Sequence, residues 1–124
     1  MVGHLDRVGL WNVQERYFPT STAWYEALVD DALAAIQKSG LILEINTSGW
    51  TKPVAFPNPG LPILREAASR NIPVIVSADA HRPADVDRLF PEGVRILAEA
   101  GYREIVVPDH EKWHSAALPG VQEA

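Results

Sequence analysis

The chain has 124 residues with a net charge of −5, and 47% of its residues are apolar. That is enough for one modest domain with a small core, and the acidic balance disfavours a nucleic-acid partner. The absence of cysteine excludes disulfide scaffolds, thiolate metal sites and cysteine nucleophiles. No run approaches the ~20 apolar residues that cross a bilayer, and Met1-Val2-Gly3-His4-Leu5-Asp6-Arg7 lacks the apolar stretch of a signal peptide. The expectation is a cytoplasmic protein with no membrane partner.

In chain order, Val2 to Leu5 reads as the end of a strand, followed by a loop with Trp11, Tyr17 and Pro19. Ser21 to Ser39 is predicted helical, with Tyr25, Val29, Ala32, Leu33 and Ile36 on one face. N-cap candidates lie at 20–22, Lys38 suits the last turn, and Gly40 is a left-handed C-cap. Leu41 to Asn46 reads as a buried strand, being short, β-branched and bounded by glycines. A proline-rich loop from Thr51 to Pro62 leads to a helix over Ile63–Arg70, and Pro73–Ala78 is the next strand. Pro83 favours the first turn of a helix carrying Val86, Leu89 and Phe90, which Pro91 breaks before Glu92–Ala100 resumes. Glu104–Val107 is the last strand, and residues 109–124 form a C-terminal helix or tail with fraying ends.

Alternating strand and helix predicts parallel βα units, in an open sheet or part of a (β/α) barrel. In both architectures functional groups collect at the C-terminal ends of strands, where His4, Asn46, Asp79 and His81 fall. Asp79 and His81 are two apart, so an extended strand end puts both on one face with Ser77 below them. A carboxylate and an imidazole there suit zinc, manganese or iron; an aspartate opening a helix beside an incidental histidine is the alternative. Glu44 shares a face with Asn46 inside an apolar strand, and an arginine partner in a structural ion pair is the expected compensation for its burial.

Gly3-His4-Leu5-Asp6, Leu43-Glu44-Ile45-Asn46-Thr47-Ser48-Gly49 and Ser77-Ala78-Asp79-Ala80-His81-Arg82-Pro83-Ala84-Asp85-Val86 together resemble PHP-superfamily histidinol-phosphatases, in order and spacing, from about Val2 to Val107. The resemblance implies an α/β fold, a partial (β/α) barrel of PHP type made of the C-terminal strands and helices of a distorted (β/α)7 barrel, over residues 1–108. It implies divalent metal ions (Mn, Zn or Fe), metal-activated water, and hydrolysis of histidinol phosphate to histidinol and phosphate in histidine biosynthesis. By the same resemblance His4, Asp79 and His81 are metal ligands and Arg82 meets the phosphate. Asn46, Thr47 and Ser48 support the ligands or face the substrate. A guanidinium suits that role, because its forked donors match phosphate oxygens.

Members of that family begin with a strand ending in an H-x-H pair, and more ligands precede the G-H-x-D segment. The sequence holds about three of roughly nine expected ligands, so a full cluster is not expected from this chain alone. The expected alternatives are a non-catalytic half-barrel that self-associates or takes a complementing N-terminal chain, or a PHP phosphoesterase of other specificity. His110-Glu111-Lys112-Trp113-His114 matches H-E-x-x-H, but without a helix bearing a third ligand it reads as a surface coincidence, and Glu123 is a poor third. Of the four tryptophans, Trp24 is expected in the core, and Trp50 is placed to wall a substrate pocket.

Overall fold

The computed structural model describes residues 1–53 and 55–120; the part of the expected tail at 121–124, including Glu123, lies outside the described residues. Helix α1 spans Ala23–Ser39 and stops at Gly40, whose φ of 63° is the left-handed cap expected there. Strand β1 (Leu43–Asn46) pairs in parallel with β2 (Val74–Ser77), from Leu43 opposite Val74 to Asn46 opposite Ser77. Val2 adds a single parallel bridge to Leu43 on the other side of β1. Helix α2 (Leu61–Ser69) provides the crossover between the two strands. Helix α3 (Phe90–Ala100) follows β2, packs against α2, and ends at Gly101.

One core holds these elements together. Leu33 and Ile36 of α1, Leu43 and Ile45 of β1, Leu64 of α2, Ile72, Val74 of β2 and Leu97 of α3 are all buried in a single cluster. Each such side chain contributes about 1.5–3 kcal/mol by leaving water. The Tyr102 hydroxyl donates to the Ile72 carbonyl at 3.0 Å, which satisfies a polar group inside the cluster.

Two segments depart from the sequence reading. Residues 83–85 make only a 3-10 turn, Leu89 adopts a left-handed conformation (φ 59°), and Pro91 lies in the first turn of α3. Pro91 therefore opens a helix and does not break one, because the first turn needs no N–H from it. The stretch expected as a C-terminal helix or tail is a strand in its central part. β3 (Glu104–Asp109) and β4 (Lys112–Ala117) form an antiparallel hairpin, closed by the two residues His110 and Glu111. Leu118 then enters the core, its N–H bonded to the Arg103 carbonyl at 2.8 Å. Pairing with β3 and burial of Leu118 override a weak local preference, as is common for strands.

β3 lies beside β2, but among the described residues the ladders form two separate two-stranded sheets and no closed barrel. No described helix is long and apolar enough to cross a membrane.

Candidate functional site

Alternation along β1 sends Leu43 and Ile45 into the core and Glu44 and Asn46 to the opposite face. All four are buried. Glu44 is only 8% exposed, and the arginine expected beside it is absent among the described residues. Two neutral donors take its place. The His4 backbone N–H donates to Glu44 Oε2 at 3.2 Å, and the Ser77 hydroxyl donates to Oε1 at 2.6 Å. Gly3 lets the chain come this close, since a Cβ there would stand 2.8 Å from Oε2.

His4 and Asp79 leave their segments with left-handed backbones, φ 55° and 50°. Such angles are uncommon for residues with a Cβ and concentrate where structure over-determines them. Their side chains converge, His4 Nε2 lying 4.0 Å from Asp79 Oδ2, and they stay 41% and 34% exposed. The pair therefore opens to solvent above a buried polar floor.

Asn46 belongs to that floor, with no exposed surface. Its Oδ1 accepts the Ser48 N–H at 3.0 Å, and its Nδ2 lies 3.3 Å from His4 Nδ1. An amide NH2 only donates, so in this arrangement Nδ1 accepts and the ring proton sits on Nε2, facing Asp79; a cation on Nε2 requires that proton to move to Nδ1, with the Asn46 amide turned so that its oxygen accepts it. Ser48 is buried as well. Neither side chain is presented to solvent.

β2 ends at Ser77, and Asp79's left-handed turn redirects the chain. The expected period-2 alignment of Ser77, Asp79 and His81 is therefore not formed. His81 instead donates from Nδ1 to the Asp79 carbonyl at 2.8 Å. That bond fixes the proton on Nδ1 and leaves Nε2 with its lone pair, the tautomer that histidines ligating a metal commonly hold. Still, among the described residues no three His, Asp or Glu side chains converge on one point. Donor atoms that each lie ~2.1 Å from one ion are at most ~4.2 Å apart. His4 and Asp79 can share a cation near the open end of that range, with the nitrogen and oxygen donors that zinc, manganese or iron accept.

Arg82 is well exposed, its side chain at 74%, but its fork is partly engaged. Nε donates to Asp85 Oδ2 at 3.0 Å and Nη2 to Oδ1 at 3.4 Å, while Arg88 Nη1 reaches the same Oδ1 at 3.1 Å. The hydrogen bonds from Arg82 hold the Asp85 carboxyl below its ordinary pKa. The Arg88 carbonyl in turn accepts the Thr47 hydroxyl at 2.7 Å, tying this turn to the one after β1. Asp85 and Arg88 escaped the sequence reading, although the Arg82-x-x-Asp85-x-x-Arg88 spacing is one that brings charges together.

Asp6, two residues on from His4, belongs to a different neighbourhood. It turns toward the start of α2, where Oδ2 accepts the Gly60 N–H at 3.0 Å, and burial pushes its pKa up to about 6. An open groove of about 1230 Å³ lies there, lined by Asp6, Tyr25, Trp50 and Phe56 among others. Trp50 does wall a cavity, then, but His4 and Asp79 are not among its lining residues. Trp24 is exposed, against expectation, and packs on Phe18 and Tyr25. In H-E-x-x-H, His110 occupies the hairpin turn and His114 sits on β4 opposite Val107, so the helical turn that would align them does not exist.

Over 74 residues the sequence is 39% identical to a protein of Deinococcus radiodurans described as a probable histidinol-phosphatase. That match covers 60% of this chain and 28% of the relative, so the chain spans less than a third of the relative's length. No protein-family model matches. The chain is thus related, over part of its length, to a protein of the histidinol-phosphatase kind.

Proposed function

We propose that this chain is part of a metal-dependent phosphomonoester hydrolase of the histidinol-phosphatase kind, folded as a partial PHP-type (β/α) barrel. The observation that carries the reading is the His4–Asp79 pair, 4.0 Å apart at the ends of the two parallel segments that flank β1, where α/β folds bind their ligands. His4 and Asp79 would hold a divalent ion, Mn, Zn or Fe, and the exposed His81 would add its Nε2 only by turning toward them. Such an ion supplies positive charge for the phosphoryl oxygens and lowers the pKa of water.

The chain's own residues supply the rest. Arg82 presents its unengaged donors to a phosphate monoester, with Asp85 holding the guanidinium plane and Arg88 adding positive charge beside it. Asn46 fixes the His4 ring. Histidinol phosphate is the substrate that the relative's description favours. The test is phosphate release from histidinol phosphate by the purified chain with added manganese, beside Asp79→Ala and His81→Ala. Activity lost in both variants supports the reading; equal activity in both overturns it.

A second reading rests on the absence of a closed barrel among the described residues: the chain acts only with a partner, a second copy or a complementing N-terminal chain. Its mass in solution tests self-association, and restored phosphatase activity on mixing tests complementation. An active monomer contradicts this reading.

A further inference from the structure

A buried carboxylate is costly unless it is compensated, and Glu44 is compensated in an unusual way. Each of its two donors belongs to a segment that delivers one member of the His4–Asp79 pair. Oε2 takes the backbone N–H of His4 itself, and Oε1 takes the hydroxyl of Ser77, two residues before Asp79. Neither ligand lies within a ladder. The β1–β2 register ends at Asn46 and Ser77, and the first segment meets β1 only through the Val2 bridge. Both His4 and Asp79 also hold left-handed backbones, which are strained for residues with a Cβ. Something must oppose relaxation of the two turns. Among the described residues the Glu44 carboxylate is the one side-chain group hydrogen-bonded to both segments, and Gly3 lacks the side chain that would push it away.

We propose that Glu44 is a positioning residue whose carboxylate bridges the two segments and sets the separation of His4 and Asp79, so that the pair stands ready for one divalent cation. This rests on reading the pair as a metal site. Glu44 does not touch the cation. It acts through the backbone of His4 and the hydroxyl of Ser77. Groups that orient metal ligands typically change affinity 10–100-fold when removed.

The experiment is a calorimetric titration of Mn2+ into the full chain and into three variants, each also checked for its thermal midpoint and for the amide resonance of His4. Glu44→Gln retains an oxygen for the His4 N–H and an NH2 that can donate to Ser77 Oγ, so it binds Mn2+ within about threefold of wild type. Ser77→Ala removes one arm and weakens binding several-fold. Glu44→Ala removes both and weakens it tenfold or more, at temperatures where the variant is still folded. A role confined to stability would lower the midpoint and leave the affinity of the folded protein unchanged. Wild-type affinity in folded Ser77→Ala and Glu44→Ala overturns the proposal. If Glu44→Ala does not fold, Ser77→Ala against Glu44→Gln decides by the same criterion. If the wild-type chain takes up no Mn2+, the metal reading fails. Glu44 is then judged by the His4 amide, which keeps its hydrogen-bonded shift in Glu44→Gln and loses it in Ser77→Ala if the bridge holds the segment. An unmoved His4 amide in Ser77→Ala overturns the bridge itself.

Discussion

Two regions of this molecule carry histidines beside acidic residues, and they differ in what lies beneath them. At the end of the β1–β2 pair, His4 and Asp79 stand over Glu44 and Asn46, whose hydrogen-bonding groups are engaged by neighbouring segments. At the β3–β4 hairpin, His110 has a side chain 96% exposed, and Lys112 to Ser115 of β4 are exposed too. The hairpin has the more recognisable motif and the poorer site. Ligand spacing has meaning only on the secondary structure it presupposes, and a site needs a layer that holds its ligands as well as the ligands themselves.

The contrast is open to direct attack. Gly49 sits in the turn after β1, where a Cβ would fall 2.1 Å from the Phe56 carbonyl oxygen, whereas a Cβ on Gly120, after the hairpin, meets nothing within 4 Å among the described residues. Gly49→Ala is expected to lose on the order of 3 kcal/mol or more, because backbone must move. Gly120→Ala, strained only by its positive φ, should lose about 1 kcal/mol. Urea midpoints of the two variants measure the difference, and equal losses would erase it. Gly3→Ala comes next. A methyl 2.8 Å from Glu44 Oε2 should cost about 1–3 kcal/mol by overpacking and shift the His4 amide resonance as well.

Asp6 gives a pH test on the same side of the molecule. Its folded pKa of about 6 exceeds the ordinary 3.8, so the folded chain holds a proton that the unfolded chain releases. The Asp6 contribution is most favourable below about pH 4 and is lost as pH rises toward about 6, by roughly 2–3 kcal/mol. Asp6→Asn should flatten that part of the stability profile, followed by chemical denaturation from pH 4 to 7. The smallest effect is expected at the hairpin: His110→Ala and His114→Ala should each change stability by no more than about 0.5 kcal/mol and leave metal binding unaltered.

Much of the scaffold is legible in the sequence. Gly40 ends α1 as its position requires, and β1 and β2 are short β-branched runs between breakers. What escaped depends on long-range contacts. β4 has little pattern of its own and exists because β3 pairs with it, through a turn whose left-handed position is held by His110, not by the usual Asn or Gly. Pro91 carries the same local signal whether a helix stops or starts there. The candidate residues His4, Asp79 and His81 are singled out by the resemblance in their types and order. Their arrangement is not legible there, because it depends on left-handed turns at His4 and Asp79, which their residue types permit but do not dictate, and on a carboxylate 33 residues from its Ser77 donor.

On the proposed reading the His4–Asp79 pair, not the hairpin histidines, takes up a divalent cation. Calorimetric titration of Mn2+ into wild type, Asp79→Asn and the His110→Ala/His114→Ala double variant tests it most directly. Saturable binding that falls at least tenfold in Asp79→Asn and is unchanged in the double variant is the predicted result. Binding that survives in Asp79→Asn, or that disappears with the hairpin histidines, would contradict it.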